Sequence, residues 1–109
     1  MSRQPLSEQL FQILLSLVDE PRHGYGIILD VESRAGKAIG ASTLYSAIRR
    51  ILEWGWVVEV DAPSSGEDPR RRYYDLTDEG RAVVRNEARR LETLVGHARA
   101  KDLLRGRPA

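Results

Sequence analysis

A chain of 109 residues and 12.3 kDa has the size of one domain with a single core, and its lack of cysteine excludes disulfides and thiolate chemistry. No apolar run approaches the roughly 18 residues of a membrane span, and the first residues lack the apolar region of a signal peptide, so we expect a cytoplasmic protein with no membrane partner. The net charge is only +1, yet 15 of the 17 basic residues are arginine, a bias that either high-GC codon usage or the binding of phosphates and carboxylates would explain.

The first half of the sequence predicts three helices. Apolar residues recur at helical spacing over residues 7–18, and Pro21 ends that pattern. A second helix is expected from about His23 to Ala35, with Gly36 as its C-terminal stop. A third runs from an N-cap at Ser42 to residues 54–55. One face of this third helix is apolar (Leu44, Ile48, Ile51, Leu52) and the opposite face is small and polar at its start and basic further on (Ser42, Thr43, Ser46, Arg49, Arg50, Glu53).

The chain then changes to the spacing of strands. Residues 56–61 and 72–76 are rich in strand formers, and the turn-rich residues 62–69 join them, which predicts an antiparallel hairpin. The tripeptide Arg70-Arg71-Arg72 opens the second strand, where it either binds phosphates or pairs with Glu67 and Asp68 as a solvated charge run. Alternation predicts that one ring of Tyr73-Tyr74 packs on the core and the other faces outward.

A long final helix is predicted from an N-cap at Thr77 to about Leu104, with Asp78 and Glu79 at its positive end and a disordered tail at 106–109. Apolar residues follow each other along it at spacings of four and three: Val84, Ala88, Leu91, Val95 and Ala98. We call this the apolar stripe. A domain of about 70 residues is too small to cover such a helix, so we expect a homodimer; a helix folded back on its own domain is the alternative.

This order of elements predicts a fold that is mainly α with a small β hairpin: a winged helix-turn-helix DNA-binding domain over residues 1–76 and a dimerisation helix over residues 77–105. In such a fold the third helix contacts DNA and the hairpin is the wing. Winged helices also serve as protein-binding modules, so the topology alone leaves both functions open.

Catalytic and metal chemistry have no clear signal. Residues 23–28 contain Gly-x-Gly, but Leu29 stands where a dinucleotide-binding motif needs a third glycine. The only histidines, His23 and His97, lie far apart and no clustered carboxylates accompany them. We therefore expect no enzyme, metal or cofactor, and a structural role for His23. Trp56 is expected in the core, and Trp54 is expected to be partly exposed, either packed on the base of the wing or offered to a ligand or partner.

Three blocks of the sequence, in order, resemble the PadR-like family of transcriptional regulators. They are residues 13–27 with their His-Gly-Tyr element, residues 42–51 in the third helix, and residues 68–80, the most specific block, from wing to last helix. The resemblance implies a bacterial or archaeal homodimeric repressor that binds a palindromic double-stranded operator and is released by a small effector. The single helix after the wing is similar to the short subfamily. Trp54 and Trp56 depart from the family's pattern, so a known ligand pocket does not transfer simply.

These observations give three predicted sites. The DNA interface comprises Ser42, Thr43, Ser46, Arg49, Arg50, Arg70, Arg71 and Arg72. The dimer interface comprises Phe11, Leu15, Val84, Ala88, Leu91, Val95 and Ala98, with Phe11 and Leu15 forming an edge of the first helix that its own core leaves unused. A cavity between Phe11, Leu15, Leu91 and Val95 would suit a flat aromatic or cationic effector. The alternative function, a winged-helix protein-protein interaction module without DNA binding, has no need for arginines on both the third helix and the wing.

Overall fold

The computed structural model describes residues 6–63 and 70–104. In chain order its elements are α1 (Glu8–Leu15), β1 (Arg22–His23), α2 (Gly24–Ala35), α3 (Ala41–Glu53), β2 (Val57–Val60), β3 (Tyr73–Leu76) and α4 (Asp78–Ala100). The strands form one antiparallel sheet in the order β1-β3-β2. The predicted winged-helix fold, mainly helical with a long last helix, is confirmed. In this part of the chain no helix combines the length and the apolar character that crossing a membrane requires.

One hydrophobic core joins the first three helices to the sheet and to the start of α4. Its fully buried members come from α1, α2 and α3 and from the turn after α1: Ile13, Leu14, Leu17, Ile27, Leu44 and Ile51. Each of these helices buries one face because its apolar residues recur every three or four positions. The core thereby fixes the position of α3 and leaves its opposite face to solvent.

Helix boundaries differ from the prediction at three places. α1 ends at Leu15 instead of Val18, because the chain tightens into turns in which Leu17 and Val18 donate to carbonyls three residues back, at 3.0 and 3.1 Å. α3 begins at Ala41, so Gly40 is its N-cap and the prediction of Ser42 as N-cap is wrong. The buried Ile39 anchors the chain immediately before this point. α4 ends at Ala100, and residues 101–104 form turns.

The short strand β1 was not predicted, because two residues are too few to show alternation. It pairs with β3 so that His23 lies opposite Tyr73 and Arg22 lies opposite Tyr74. Both tyrosines are buried, with 3% and 4% of their surface exposed, so the prediction that one ring would face outward is wrong. The reason is that β1 makes β3 a central strand, and the His23 ring packs edge-on against Tyr73 with centroids 5.2 Å apart.

The α3–β2 turn and the start of α4 are packed together. Gly55 reverses the chain with a φ of 79°, a conformation that favours glycine. Thr77 is the N-cap of α4, as predicted: its hydroxyl accepts from the Gly80 N–H at 3.0 Å and donates to the Gly55 carbonyl at 2.7 Å. Trp56 is buried as expected, and Trp54 is 46% exposed with its ring 4.8 Å from that of Trp56. Trp54 therefore packs at the base of the wing.

Candidate nucleic-acid interface

Most of the polar face of α3 is presented to solvent. Its buried residues are Leu44, Ala47, Ile48 and Ile51, whereas the five predicted contact residues on this helix are all exposed: Ser42, Thr43, Ser46, Arg49 and Arg50. Leu52, expected on the apolar face, is 37% exposed instead because it lies near the end of the helix, where the turn to β2 begins. Within the described ranges, Arg49 and Arg50 make no ion pair. The structure therefore leaves both guanidinium groups available to an external anion.

The three predicted wing arginines lie directly before β3 and are exposed. Arg72 was expected inside the strand, but β3 begins at Tyr73. The Arg72 guanidinium lies 3.9 Å from the Glu59 carboxylate on β2, and an exposed pair of this kind contributes little stability. The Arg71 guanidinium lies 2.8 Å from Nε2 of His23. The alternative partners of this charge run, Glu67 and Asp68, lie outside the described residues.

His23 has the structural role that the sequence predicted. It is the N-cap of α2, and its Nδ1 accepts the Gly26 N–H at 3.0 Å. Among the residues that the structure describes, no three histidine, aspartate or glutamate side chains are grouped as metal ligands would be. Because the Nδ1 lone pair is used by Gly26, Nε2 has no lone pair to accept from Arg71, so the guanidinium is a close neighbour of the ring and not its hydrogen-bond partner.

Polar contacts connect α1 and the turn after it to β1 and to α2, the helix that supports α3. The Arg22 Nε donates to the Ser16 carbonyl at 2.7 Å, and the Arg34 Nε donates to Gln12 Oε1 at 2.7 Å. Partial burial raises the pKa of Asp30, but hydrogen bonds from Arg34 and Ser16 and the positive charges of Arg34 and Arg22 outweigh it, so the pKa lies below its ordinary value. Asp30 is therefore ionised at neutral pH and fixes the arginines around it.

Sequence reasoning missed Tyr45, which lies on the polar face of α3 and is 45% exposed. Its hydroxyl packs over Gly24, where a side chain would overlap it. The available signal was spacing: Tyr45 follows Ser42 by three positions and precedes Arg49 by four, so it shares their face. The contact with Gly24 had no signal in the sequence.

The apolar stripe is only partly covered by its own chain. Val84 is buried in the chain's own core, Leu91 and Ala98 are half-buried, and Ala88 and Val95 are exposed. Val84 was expected at a dimer interface, but it packs with the chain's own core because α4 begins against the sheet. The other four residues of the stripe therefore keep surface that is exposed to solvent.

The first-helix edge is less free than expected. Phe11 and Leu15 are half-buried and pack against the core cluster, so the prediction that this edge is unused by its own core is wrong. The reason is that α4 lies along α1 within the same chain. A groove of about 200 Å³ between these helices is lined by Leu15, Val18, Arg81, Val84, Arg85 and Ala88. Of the four predicted cavity residues, Leu15 lines this groove, and the two arginines disfavour the cationic ligand that was expected.

Two further side chains on α4 were missed. Leu94 is 48% exposed, and Glu87 is buried with 8% of its surface exposed. Both Glu87 oxygens accept from Arg90, at 2.7 and 3.1 Å, and these bonds together with the Leu6 N–H lower the pKa of Glu87 although burial raises it. Helical spacing from Val84 and Leu91 places both residues beside the apolar stripe.

A curated relative, an uncharacterised 37.1 kDa protein in transposon TN4556 of Streptomyces fradiae, is 32% identical over 84 residues; the match covers 77% of this chain, which spans only 23% of the relative's length. A PadR family transcriptional regulator from Eggerthella lenta superposes with a TM-score of 0.66 at 27% identity, covering 89% of this chain and 81% of that one.

Bacillus subtilis PadR, solved in complex with operator DNA, superposes with a TM-score of 0.62, covering 73% of this chain and 46% of that one. At 20% identity this likeness shows the fold alone. The family model of PadR-like transcriptional regulators matches residues 13–86, about two thirds of the sequence. The chain therefore belongs to the PadR-like family of transcriptional regulators.

Proposed function

We propose that this protein is a sequence-specific DNA-binding regulator that acts as a homodimeric repressor at a palindromic operator and is released by a small effector. The observation that carries the proposal is the exposed pair Arg49 and Arg50 on α3, in the same winged-helix domain as the exposed arginines before β3. The fold is also similar to that of Bacillus subtilis PadR, a protein solved with operator DNA. These features support a surface that binds nucleic acid.

The polar face of α3 is proposed to enter the major groove. Its small start (Ser42, Thr43, Ser46) permits close approach to the base edges, and Arg49, further along, has the donor geometry that pairs with guanine. Duplexes selected by the purified protein from a random pool provide the operator. We expect Arg49→Ala to weaken binding to that duplex by about 1–3 kcal/mol and to relax selection at one base pair.

Arg89→Ala is the matched control for this variant, since Arg89 is an exposed arginine on α4, outside both the recognition helix and the wing. It should bind the selected duplex as the wild type does. If a folded Arg49→Ala variant binds the duplex as tightly as the wild type, Arg49 does not contact a base.

The wing is proposed to bind DNA phosphates. Arg70, Arg71 and Arg72 would then contribute affinity that does not depend on sequence, because each phosphate contact releases counterions. Replacing all three by alanine should reduce the slope of log affinity against log salt concentration by about 0.9 for every phosphate that is no longer neutralised. An unchanged slope would show that the wing does not touch the duplex.

The second chain of the dimer is proposed to cover the exposed part of the apolar stripe. α4 has 23 residues and is about 34 Å long, and its second half exposes Leu94 and Val95. A two-fold contact of this half with α1 of the partner would cover the exposed part of the stripe and the surface that the half-buried Phe11 and Leu15 still expose, and would hold the two α3 helices about 34–36 Å apart, one turn of DNA. An aromatic effector in the groove between α1 and α4 would change that spacing and release the operator.

The alternative, a protein-binding module, is less well supported because it gives no role to the exposed arginines on α3. The random-pool selection separates the two functions. If no duplex is enriched, the DNA-binding proposal fails and a protein partner becomes the favoured ligand.

A further inference from the structure

A cleft of about 250 Å³ lies where α3, the start of α2 and the residues before β3 meet. Its polar lining comprises His23, Tyr25, Tyr45, Arg71, Arg72 and Tyr74. None of the residues that line it is acidic. The cleft therefore offers phenol hydroxyls and guanidinium groups, the donor set of an anion site, and a bound anion would compete for Arg72 only with Glu59, whose carboxylate lies 3.9 Å from that guanidinium.

Tyr45 is held in position by contact with Gly24. A methyl group on Gly24 would overlap the Tyr45 hydroxyl oxygen and lie 2.5 Å from its ring carbon Cζ. The Tyr45 ring covers Gly24, so this first residue of α2 is buried. The absence of a side chain at position 24 thus lets the Tyr45 hydroxyl lie at the edge of the cleft.

Arg71 and Arg72 bring positive charge to the opposite side of the cleft. Arg71 lies beside His23, with 2.8 Å between its guanidinium nitrogen and Nε2 of the ring. Arg72 makes a loose 3.9 Å pair with Glu59, from which it can turn toward a stronger ligand. Two such cations and a fixed hydroxyl match one tetrahedral phosphate group.

We propose that this cleft binds one phosphodiester of the operator backbone, with the Tyr45 hydroxyl donating to a phosphate oxygen. The inference rests on the proposed DNA binding and names a contact within it. Tyr45 shares the polar face of α3 with Ser46 and Arg49, so a phosphate held there borders the groove that α3 enters. The contact would set the depth and register of α3 without selecting a base.

The experiment uses the full chain and a duplex selected from a random pool. Tyr45→Phe should weaken binding about tenfold, the usual effect of removing a hydrogen bond to a charged group. The salt slope should stay unchanged because the phenol is neutral, whereas Arg71→Ala should also flatten it by about 0.9. Gly24→Ala should reproduce the weakening seen with Tyr45→Phe, since the added methyl group displaces the ring, and Arg89→Ala should bind normally.

Substituting single phosphates of the duplex by neutral methylphosphonates locates the contact. At one phosphate position per half-site, the substitution should weaken wild-type binding and cancel the further effect of Tyr45→Phe. If Tyr45→Phe binds the duplex as tightly as the wild type, or if its weaker binding persists at every substituted position, the inference is overturned while the proposed function stands.

A free anion is the other source of phosphate. If millimolar inorganic phosphate shifts the amide resonances around Gly24 in the wild type but not in Tyr45→Phe, while duplex affinity is the same in both, the cleft is a site for a free anion and the backbone contact is refuted. If the wild type enriches no duplex at all, the proposed function fails and the inference fails with it.

Discussion

Two glycines on the same helix should respond in opposite ways to alanine. Gly80 lies at the start of α4, where a methyl group would overlap the carbonyl oxygen of Trp56 and lie 2.9 Å from its carbonyl carbon and 3.2 Å from Leu76. Gly96 lies far along the same helix, and a methyl group there would meet no atom within 4 Å. Comparing the two alanine variants therefore separates the effect of close packing from the effect of helix propensity.

The magnitude follows from three contributions. Alanine is favoured over glycine inside a helix by about 1 kcal/mol, and this gain applies to both positions. At Gly80 the obstacle is backbone, since the Trp56 carbonyl also accepts the Thr77 N–H at 3.0 Å, and its retreat would weaken that bond, worth about 1 kcal/mol. Overpacking a tight site costs a further ~1–3 kcal/mol. We expect Gly80→Ala to lower the free energy of unfolding by about 1–3 kcal/mol and Gly96→Ala to raise it by about 0.5–1 kcal/mol.

Urea unfolding followed by tryptophan fluorescence measures both variants, because Trp54 and Trp56 report on the region beside Gly80. All proteins are compared at one concentration, since dimerisation would add a concentration-dependent contribution. A Gly80→Ala variant as stable as the wild type would refute the close approach of α4 to the α3–β2 turn. Lower stability of Gly96→Ala would show that its surroundings are not open.

Two further predictions concern α4. Leu91→Arg places a charge in the proposed interface and should give monomers that no longer bind the operator tightly; sedimentation showing a dimer at micromolar concentration would exclude this interface and the effector site beside it. Arg90 and the Leu6 N–H favour the ionised form of Glu87 and lower its pKa despite burial. The ionised carboxylate therefore contributes its full stabilisation at neutral pH, and this stabilisation is lost as the pH falls through a pKa that lies below the ordinary value of 4.5. Urea unfolding from pH 7 to pH 3 should show that loss, and Glu87→Gln should reduce it; an identical acid dependence in the variant would assign the loss to other carboxylates.

The sequence predicted best where a pattern is long and local. α3 spans 13 residues, so helical periodicity separates its buried from its exposed face even though its N-cap was misplaced by two positions. Thr77 was identified as a cap because a hydroxyl before two acidic residues is a local signal. Both features position α3 and the wing, which is why the sequence could identify the residues of α3 that the structure leaves exposed.

The features that could not be predicted depend on contacts between distant segments. Gly24 and Tyr45 are 21 positions apart, and no periodicity relates them. The two-residue strand β1 exists because β3 supplies its partner, and that pairing also buries the second tyrosine of β3. Glu87 interrupts the apolar stripe in sequence, yet its neighbours Arg90 and Leu6 satisfy the carboxylate and permit its burial.

The start of α4 offers a physical route between the groove and the proposed DNA interface. Arg81 lines the groove, donates to the Val18 carbonyl at 3.1 Å and lies 3.7 Å from the Asp75 carboxylate on β3. The wing arginines directly precede β3, and the end of β3 leads into α4. A ligand that displaced Arg81 would therefore loosen both the end of α1 and the base of the wing. The groove meets the buried core at Val84, whereas the fully buried residues of the first three helices lie outside its lining, so such a change would reposition the wing with little disturbance of the core.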